Sequence, residues 1–249
     1  QVAAYADAMR NNYTIDVDLL ETECGGETSY CQLVGFGFDA ETLKDRSRRL
    51  YRYGKNRGII RRGMFTYLAA ALTILLGRYK SLQKTTRTLN LYSGKYSYKG
   101  TRVNAEFPFD HFRRVSDAVE IEIGSRPYYG RLFKICPDVV CNDGYLDVYL
   151  FNFERLSTII LNAVWLWMGR HDRINKKLAK GGKALIERYE VKRVEISSSN
   201  AFDYHVDGEV RTTASLEGQH CVSIRVLPQQ ITFIVPGNFY YKFHPVLDA

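Results

Sequence analysis

Tyr204-His205-Val206-Asp207-Gly208-Glu209 joins two strand-like runs, residues 191–197 before it and 221–226 after it. Asp-Gly is a common two-residue hairpin pair, because both central residues of such a turn take positive φ. On local grounds this is a plain hairpin. It nevertheless puts one carboxylate, Asp207, at the lip of a glycine turn and a second, Glu209, two residues on. A glycine there lets backbone approach a ligand. A second turn of the same kind lies upstream, Asn142-Asp143-Gly144-Tyr145-Leu146-Asp147, and gives the first its weight.

Outward from these turns the chain alternates strand and helix patterns. Residues 29–39 read as a buried strand ending in Gly35-Phe36-Gly37-Phe38-Asp39, where two glycines in three positions suit a turn or close backbone packing. Residues 40–53 are polar and basic, a helix or ordered loop. Residues 59–80 read as a helix with Leu68, Leu72, Leu75 and Leu76 on one face. Strands are expected at 88–92, 102–107, 118–123 and 146–151, with a turn at Tyr98-Lys99-Gly100. Residues 156–183 form one helix or two, with Gly169 as the break and Ile159, Ile160, Ala163, Val164, Trp167 and Met168 as an apolar stripe. Residues 190–236 are again strands, with turns at 197–200, Asp207-Gly208 and Glu217-Gly218. The pattern predicts one β-rich α+β domain over residues 1–249 with two helical insertions.

Composition narrows the class. With 45% hydrophobic and 13% aromatic residues over 249 positions, the chain can bury a sizeable core. Net charge is +8, gathered in Lys44, Arg46, Arg48, Arg49, Arg52, Lys55, Arg57, Arg61 and Arg62 and again in Arg170, Arg173, Lys176, Lys177, Lys180 and Lys183. Such clusters suit an anionic partner or a solvated face. Five cysteines without CxxC spacing argue against a disulfide framework or a zinc site and suit a reducing cytoplasm. No signal peptide is expected at the first residues. The longest apolar run, residues 64–77, is shorter than the ~20 residues of a spanning helix and reads as buried or interfacial.

The carboxylates on turns, Asp143, Asp147, Asp207 and Glu209, are the candidates for chemistry. Hard oxygen ligands at a turn suit Mg²⁺ or Ca²⁺, with backbone carbonyls completing the shell. A carboxylate nearby can serve as general base for a hydroxyl. His171 and His205 read as structural. No Ser/His/Asp arrangement, phosphate-binding loop or complete GxGxxG occurs.

Four motifs taken in order carry a resemblance: Gly35-Phe36-Gly37-Phe38-Asp39-Ala40; Ile123-Gly124-Ser125-Arg126-Pro127-Tyr128-Tyr129-Gly130-Arg131-Leu132-Phe133-Lys134-Ile135-Cys136-Pro137 followed by Asn142-Asp143-Gly144-Tyr145-Leu146-Asp147-Val148; His205-Val206-Asp207-Gly208-Glu209; and final strands ending in Pro228 and Pro236. From about residue 16 to 236 the chain resembles the C-terminal, lipid-substrate half of the diacylglycerol kinase-like lipid kinases, which include diacylglycerol, sphingosine and ceramide kinases. The resemblance implies the β-sandwich-like C-terminal domain of the NAD kinase/diacylglycerol kinase-like fold. It implies Asp207 as the base that deprotonates a lipid hydroxyl, with Glu209 in support. It implies a structural Mg²⁺ held by the Asp143 side chain with carbonyls near Val140 and Tyr145, besides the Mg²⁺ that accompanies ATP.

Two departures stand out. Arg126 and Arg131 occupy positions where the family keeps small residues. The family's Gly-Gly-Asp-Gly-Thr and Gly-Thr-Gly-Asn-Asp-like nucleotide segments do not occur, so the nucleotide-binding domain is expected to lie outside this chain. The leading expectation is the acceptor and catalytic-base domain of an ATP-dependent lipid kinase, inactive without that half. Its expected partners are a diacylglycerol- or sphingoid-type lipid and an anionic membrane surface met peripherally from the cytoplasm, with no nucleic acid and with homodimerisation left open. The alternative is a non-catalytic lipid-binding or regulatory module of the same fold; an NAD kinase-like enzyme ranks below both.

Overall fold

The computed structural model describes residues 2–53, 64–83, 85–97, 103–128, 133–178, 184–216 and 218–243. In chain order the elements are α1 (Val2–Arg10), β1 (Thr14–Cys24), β2 (Glu27–Cys31), β3 (Leu33–Gly37), α2 (Phe38–Tyr53), α3 (Met64–Gly77), α4 (Tyr79–Leu82), β4 (Arg87–Ser97), β5 (Val103–Ser116), β6 (Glu120–Gly124), β7 (Leu146–Phe151), α5 (Leu156–Trp167), α6 (His171–Leu178), β8 (Ile186–Ser198), β9 (Asp203–Val206), β10 (Glu209–Thr212), β11 (Ser215–Leu216), β12 (Gln219–Ile234) and α7 (Gly237–Phe243).

The strands form one curled antiparallel sheet in the order β10-β9-β3-β6-β7-β8-β12-β1-β2, with β4 and β5 branching from β8 and β11 from β12. The curl arises at β8, which pairs with β7 through residues 186–191 and with β12 through residues 193–198, while β4 lies along its other edge. The two faces are separated by the period-2 alternation of the central strands. Val34 and Phe36 of β3, Ile121 and Ile123 of β6, and Leu146, Val148 and Leu150 of β7 enter the main core inside the curl. The alternate residues of β7, Tyr149 and Phe151, enter a second cluster with Ile135, Ile174 and Ile186 under the helices. Strands β3, β6 and β7 are buried along their whole length because both faces are covered.

Both expected helical insertions are present, α2–α4 and α5–α6, and Gly169 (φ 65) separates α5 from α6. Three sequence expectations change. The strand foreseen over residues 29–39 breaks at Gln32 into β2 and β3, and the peptide of Gln32 turns outward to accept from Ser125 N–H. Of the long helix foreseen over residues 59–80, the described part is α3 and α4 with Arg78 between them. The leucines Leu68, Leu72 and Leu76 face outward, 43%, 56% and 68% exposed, while Ala70 and Ile74 are buried. Helix α3 is apolar all round, so spacing could not say which stripe packs. The amino-terminal strand β1, not foreseen from the sequence, is held by pairing with β12 at the far end of the chain. Residues 59–63, Lys55, Arg57, the Tyr98-Lys99-Gly100 turn, Gly130-Arg131-Leu132, Lys180, Lys183 and Glu217 lie outside the described residues. Among the described residues no helix is long and apolar enough to cross a membrane.

Candidate functional site

Three strands carry their polar residues to one spot. Gly35 of β3 stands opposite Glu122 of β6 on one side and His205 of β9 on the other, so the three residues form a row. Gly37 pairs with Glu120 one rung further. Because Phe36 points into the core, Gly35 and Gly37 share the face that carries both glutamates. A Cβ on Gly35 would come within 2.2 Å of His205 Nε2 and 2.4 Å of Glu122 Oε2. The glycine is what lets the imidazole and the carboxylate close over the strand. Asp39 joins them from the first turn of α2: its N–H donates to Glu120 Oε2 at 2.7 Å, its Oδ2 lies 2.9 Å from His205 Nε2, and its Oδ1 accepts from the Tyr67 hydroxyl of α3.

The electrostatics of this cluster are those of burial. Glu122 is 1% exposed, and neither of its oxygens accepts a hydrogen bond among the described residues; His205 Nε2 stands 3.7 Å from Oε1. Burial raises the Glu122 carboxyl against the opposing pull of His205. Glu120 is held well above the usual carboxylate range by burial and then by Glu122 and Asp39. For His205, burial works downward but is outweighed by Glu122 and Asp39, which push the imidazole up to about 10. Gly208 N–H approaches His205 Nδ1 at 3.4 Å, a long contact beside the two carboxylates.

The cluster forms one end of a cavity of about 490 Å³ between the sheet and helices α3 and α5. Apart from Asp39, Glu120 and Glu122, its walls are apolar or aromatic, among them Leu68 and Leu75 of α3, Phe133, Phe153, and Ile159 and Trp167 of α5. An apolar slot closed by a few convergent polar groups is the usual form of a small-molecule site.

The foreseen turn residues lie nearby but not together. Asp207 and Gly208, at φ 48 and 93, make the two-residue turn between β9 and β10. Asp207 donates its N–H to Leu33 O (2.9 Å), and both carboxylate oxygens are engaged: Oδ2 accepts from Gln32 N–H at 3.2 Å and Oδ1 from the Arg126 guanidinium at 3.1 Å. Glu209 is exposed and, among the described residues, reaches Arg211 at 4.0 Å.

The Asp143 turn sits at the same end of the sheet. Leu33, Gly124 and Asp147 form one row across β3, β6 and β7, and Asp207 bonds to Leu33 beyond its far side. Three strand spacings, about 14 Å, separate the two turns, so they do not share a coordination shell. Asp143 Oδ1 accepts from Tyr145 N–H (3.0 Å); Gly144 N–H donates to Asp18 (2.6 Å), and its carbonyl accepts from the Lys192 ammonium (2.6 Å), which also covers the Tyr145 ring. Asp18 is fully buried, and its second oxygen accepts from Gln229 N–H (2.9 Å). Val140, two residues before this turn in the chain, is exposed. With Lys192 on the Gly144 carbonyl and Asp18 spent on backbone, the turn fits an internal ammonium better than Mg²⁺, which favours six oxygens and its own water. Asp147 is buried on Arg188; burial, opposed by that guanidinium, pushes its carboxyl up to about 7.

Sequence reasoning passed over Asp39, Glu120, Glu122 and His205 as site residues. The signal was present in two short patterns, Glu120-Ile121-Glu122-Ile123 and Gly35-Phe36-Gly37, which put two acids and two glycines on single strand faces.

The sequence model of the YegS C-terminal NAD kinase beta sandwich-like domain matches residues 55–235. A protein of Serratia proteamaculans (strain 568) named "Probable lipid kinase YegS-like" is 29% identical over 127 residues, covering 51% of this chain and 35% of that protein. A solved diacylglycerol kinase from Bacillus anthracis str. Sterne matches at 15% identity and a TM-score of 0.45, covering 94% of this chain and 58% of its own. Two further solved structures from the same organism match at 18% and 20% identity, with TM-scores of 0.49 and 0.46, over 94% of this chain and 60% and 61% of theirs. The chain thus matches about a third of the curated relative and about three fifths of each solved structure.

Proposed function

The chain belongs to the family of YegS C-terminal NAD kinase beta sandwich-like domains, and from that premise we propose that it is the lipid-acceptor and base-carrying domain of an ATP-dependent lipid kinase. The observation that carries the reading is the apolar cavity of about 490 Å³ that ends on Asp39, Glu120 and Glu122. Acyl chains of a diacylglycerol- or sphingoid-type lipid suit its walls, and hydroxyl donors of the headgroup suit unpaired carboxyl oxygens at its end. Asp207 stands one residue beyond the strand that carries His205. In the reaction Asp207 takes the proton of the lipid hydroxyl as its oxygen bonds to phosphorus and the bond to the nucleotide breaks. MgATP, bound by a nucleotide domain, supplies the phosphoryl group. The chain's own residues orient the acceptor, keep water out of the apolar slot and receive the proton.

The test is the kinase reconstituted with a nucleotide domain, assayed on diacylglycerol and on a long-chain amino alcohol. Asp207→Asn is expected to lower kcat by at least about 10²-fold; undiminished turnover removes Asp207 from the base role. The isolated chain is expected to transfer no phosphate from ATP to either lipid, and transfer by it alone would overturn the need for a second domain.

One observation favours the second reading, a lipid-binding or regulatory module without chemistry: both oxygens of Asp207 are engaged, one by Arg126. Arg126→Ala decides. A kinase keeps or gains turnover when the guanidinium leaves; a module shows none in any longer form of the protein and still binds lipid.

A further inference from the structure

The two helices that wall the cavity also expose apolar residues outward. On α3 these are Leu68, Leu72 and Leu76; on α5 and just after it they are Leu161, Val164 and Met168, with exposures from 43% to 76%. Neither helix carries an acidic residue in its first turn or a basic one in its last, and residues 64–77 and 156–167 hold no charge at all. The two helices face each other across a shallow pocket lined by Leu75 and Leu76 of α3 and Leu156 and Ser157 of α5. Contiguous exposed apolar surface of this kind marks an interaction site.

The charge around it selects the occupant. Helix α6 follows α5 directly and turns Arg173 and Lys176 to solvent beside Arg170, with Arg173 lying over the Trp165 ring at 4.4 Å. The other basic run is partly spent within the fold: Lys44 pairs with Asp203, and Arg49 pairs with Asp45 and reaches Thr73. Arg170, Arg173 and Lys176, which form no ion pair among the described residues, therefore border the apolar face with only Asp172 of opposite sign on α6. Apolar helices rimmed by arginine and lysine suit the boundary between acyl chains and anionic headgroups. The cavity adds an independent reason. Leu68 of the outer face and Leu75 beside it also line the slot, as do Ile159 and Trp167 of α5, so apolar surface runs unbroken from outside to inside.

We propose that the outer faces of α3 and α5 dock on an anionic bilayer, with the basic side of α6 on the headgroups and the cavity opening into the acyl layer. A long-chain acceptor then enters without crossing water. The docking itself does not depend on the kinase reading.

The chain's two tryptophans, Trp165 and Trp167, both lie on α5 and make the test direct. The whole chain is mixed with vesicles of phosphatidylcholine containing phosphatidylglycerol, with and without bromine on the acyl chains, and no nucleotide. Expected are a blue shift of the emission, quenching by acyl bromine, and weaker binding to vesicles of phosphatidylcholine alone. Leu72→Glu with Val164→Glu should weaken partitioning about tenfold or more, since full burial of one such side chain is worth about that factor. Leu72→Met should restore it, and unchanged melting will show that the variants fold. Absence of vesicle binding, or binding with unquenched tryptophan, overturns the proposal. So does a dimer in solution that Leu72→Glu with Val164→Glu dissociates while the wild type ignores vesicles, which assigns the face to a second copy. So does failure of a protein carrying the nucleotide domain to bind vesicles that this chain binds, which assigns it to the domain interface. A protein that docks but transfers no phosphate keeps this inference and sinks the kinase.

Discussion

Replacing Gly35 with alanine tests the cluster at its hinge. The new Cβ would stand 2.2 Å from His205 Nε2 and 2.4 Å from Glu122 Oε2, where ordinary contact begins at 3.4 Å. Both groups must retreat by about 1 Å, His205 within its packing and Glu122 along the wall of the cavity it lines. The 2.9 Å approach of His205 to Asp39 then opens, and the 3.7 Å approach to Glu122 lengthens. Overpacking alone costs about 1–3 kcal/mol, and loosening a buried ion pair adds to it, toward the ~3–5 kcal/mol of a broken one. A loss of about 3–5 kcal/mol lowers Tm by about 6–20 °C in a chain of this size. The assay is thermal unfolding followed by circular dichroism, beside Gly77→Ala, where nothing lies within 4 Å of the added carbon and no loss is expected. A double-mutant cycle with His205→Ala should recover at least about 1 kcal/mol of the Gly35→Ala loss, because one of the two clashing groups is gone. A Gly35→Ala protein melting within about 2 °C of wild type would refute the claim that the glycine exists to admit these side chains.

The pH dependence has a definite sign. The His205 imidazole is pushed up to about 10 in the fold, so its contribution is complete below about 6.5, its unfolded value, and is lost as pH rises toward 10. Stability should therefore fall by a few kcal/mol between pH 7 and 10, and His205→Gln should flatten that slope; a slope unchanged by the substitution removes His205 as its source. Glu120 is raised well above the usual range and is best accommodated uncharged, so Glu120→Gln should leave Tm unchanged at pH 5 and raise it at pH 8; a lower Tm at pH 8 would count against a neutral Glu120. Asp18→Ala strips the acceptor from the buried Gly144 N–H and from the part-buried Gln229 N–H and should cost about 1–3 kcal/mol, with hydrogen exchange rising most at Gly144; protection unchanged at Gly144 would show that another group holds the turn.

Much of the fold could be read from local chemistry. The Asp207-Gly208 turn needs two positive φ angles, which that residue pair supplies, and Gly169 breaks its helix for the same reason. Strand β7 lies where residues 146–151 are expected to form one, because valine, tyrosine and phenylalanine suit a pleated, packed surface. Other features hold no local signal. The break at Gln32 depends on an amide and a carbonyl spent on Asp207 and Ser125, both far away in sequence. The outward turn of the α3 leucines depends on which side of an all-apolar helix meets the sheet.

The sequence by itself determined two acidic glycine turns, the strand and helix order, and a family resemblance that the domain match supports. Those properties belong to single residues or short runs, where φ preference and apolar period act within a few positions. Tertiary structure alone decided that the two turns stand about three strand spacings apart, that Arg126 lies on Asp207, and that Asp39, Glu120, Glu122 and His205 meet at the end of an apolar cavity. Pairing across β3, β6 and β9 brings residues 35, 122 and 205 into one row. Register between distant strands is a property of the packed sheet, which no single segment carries.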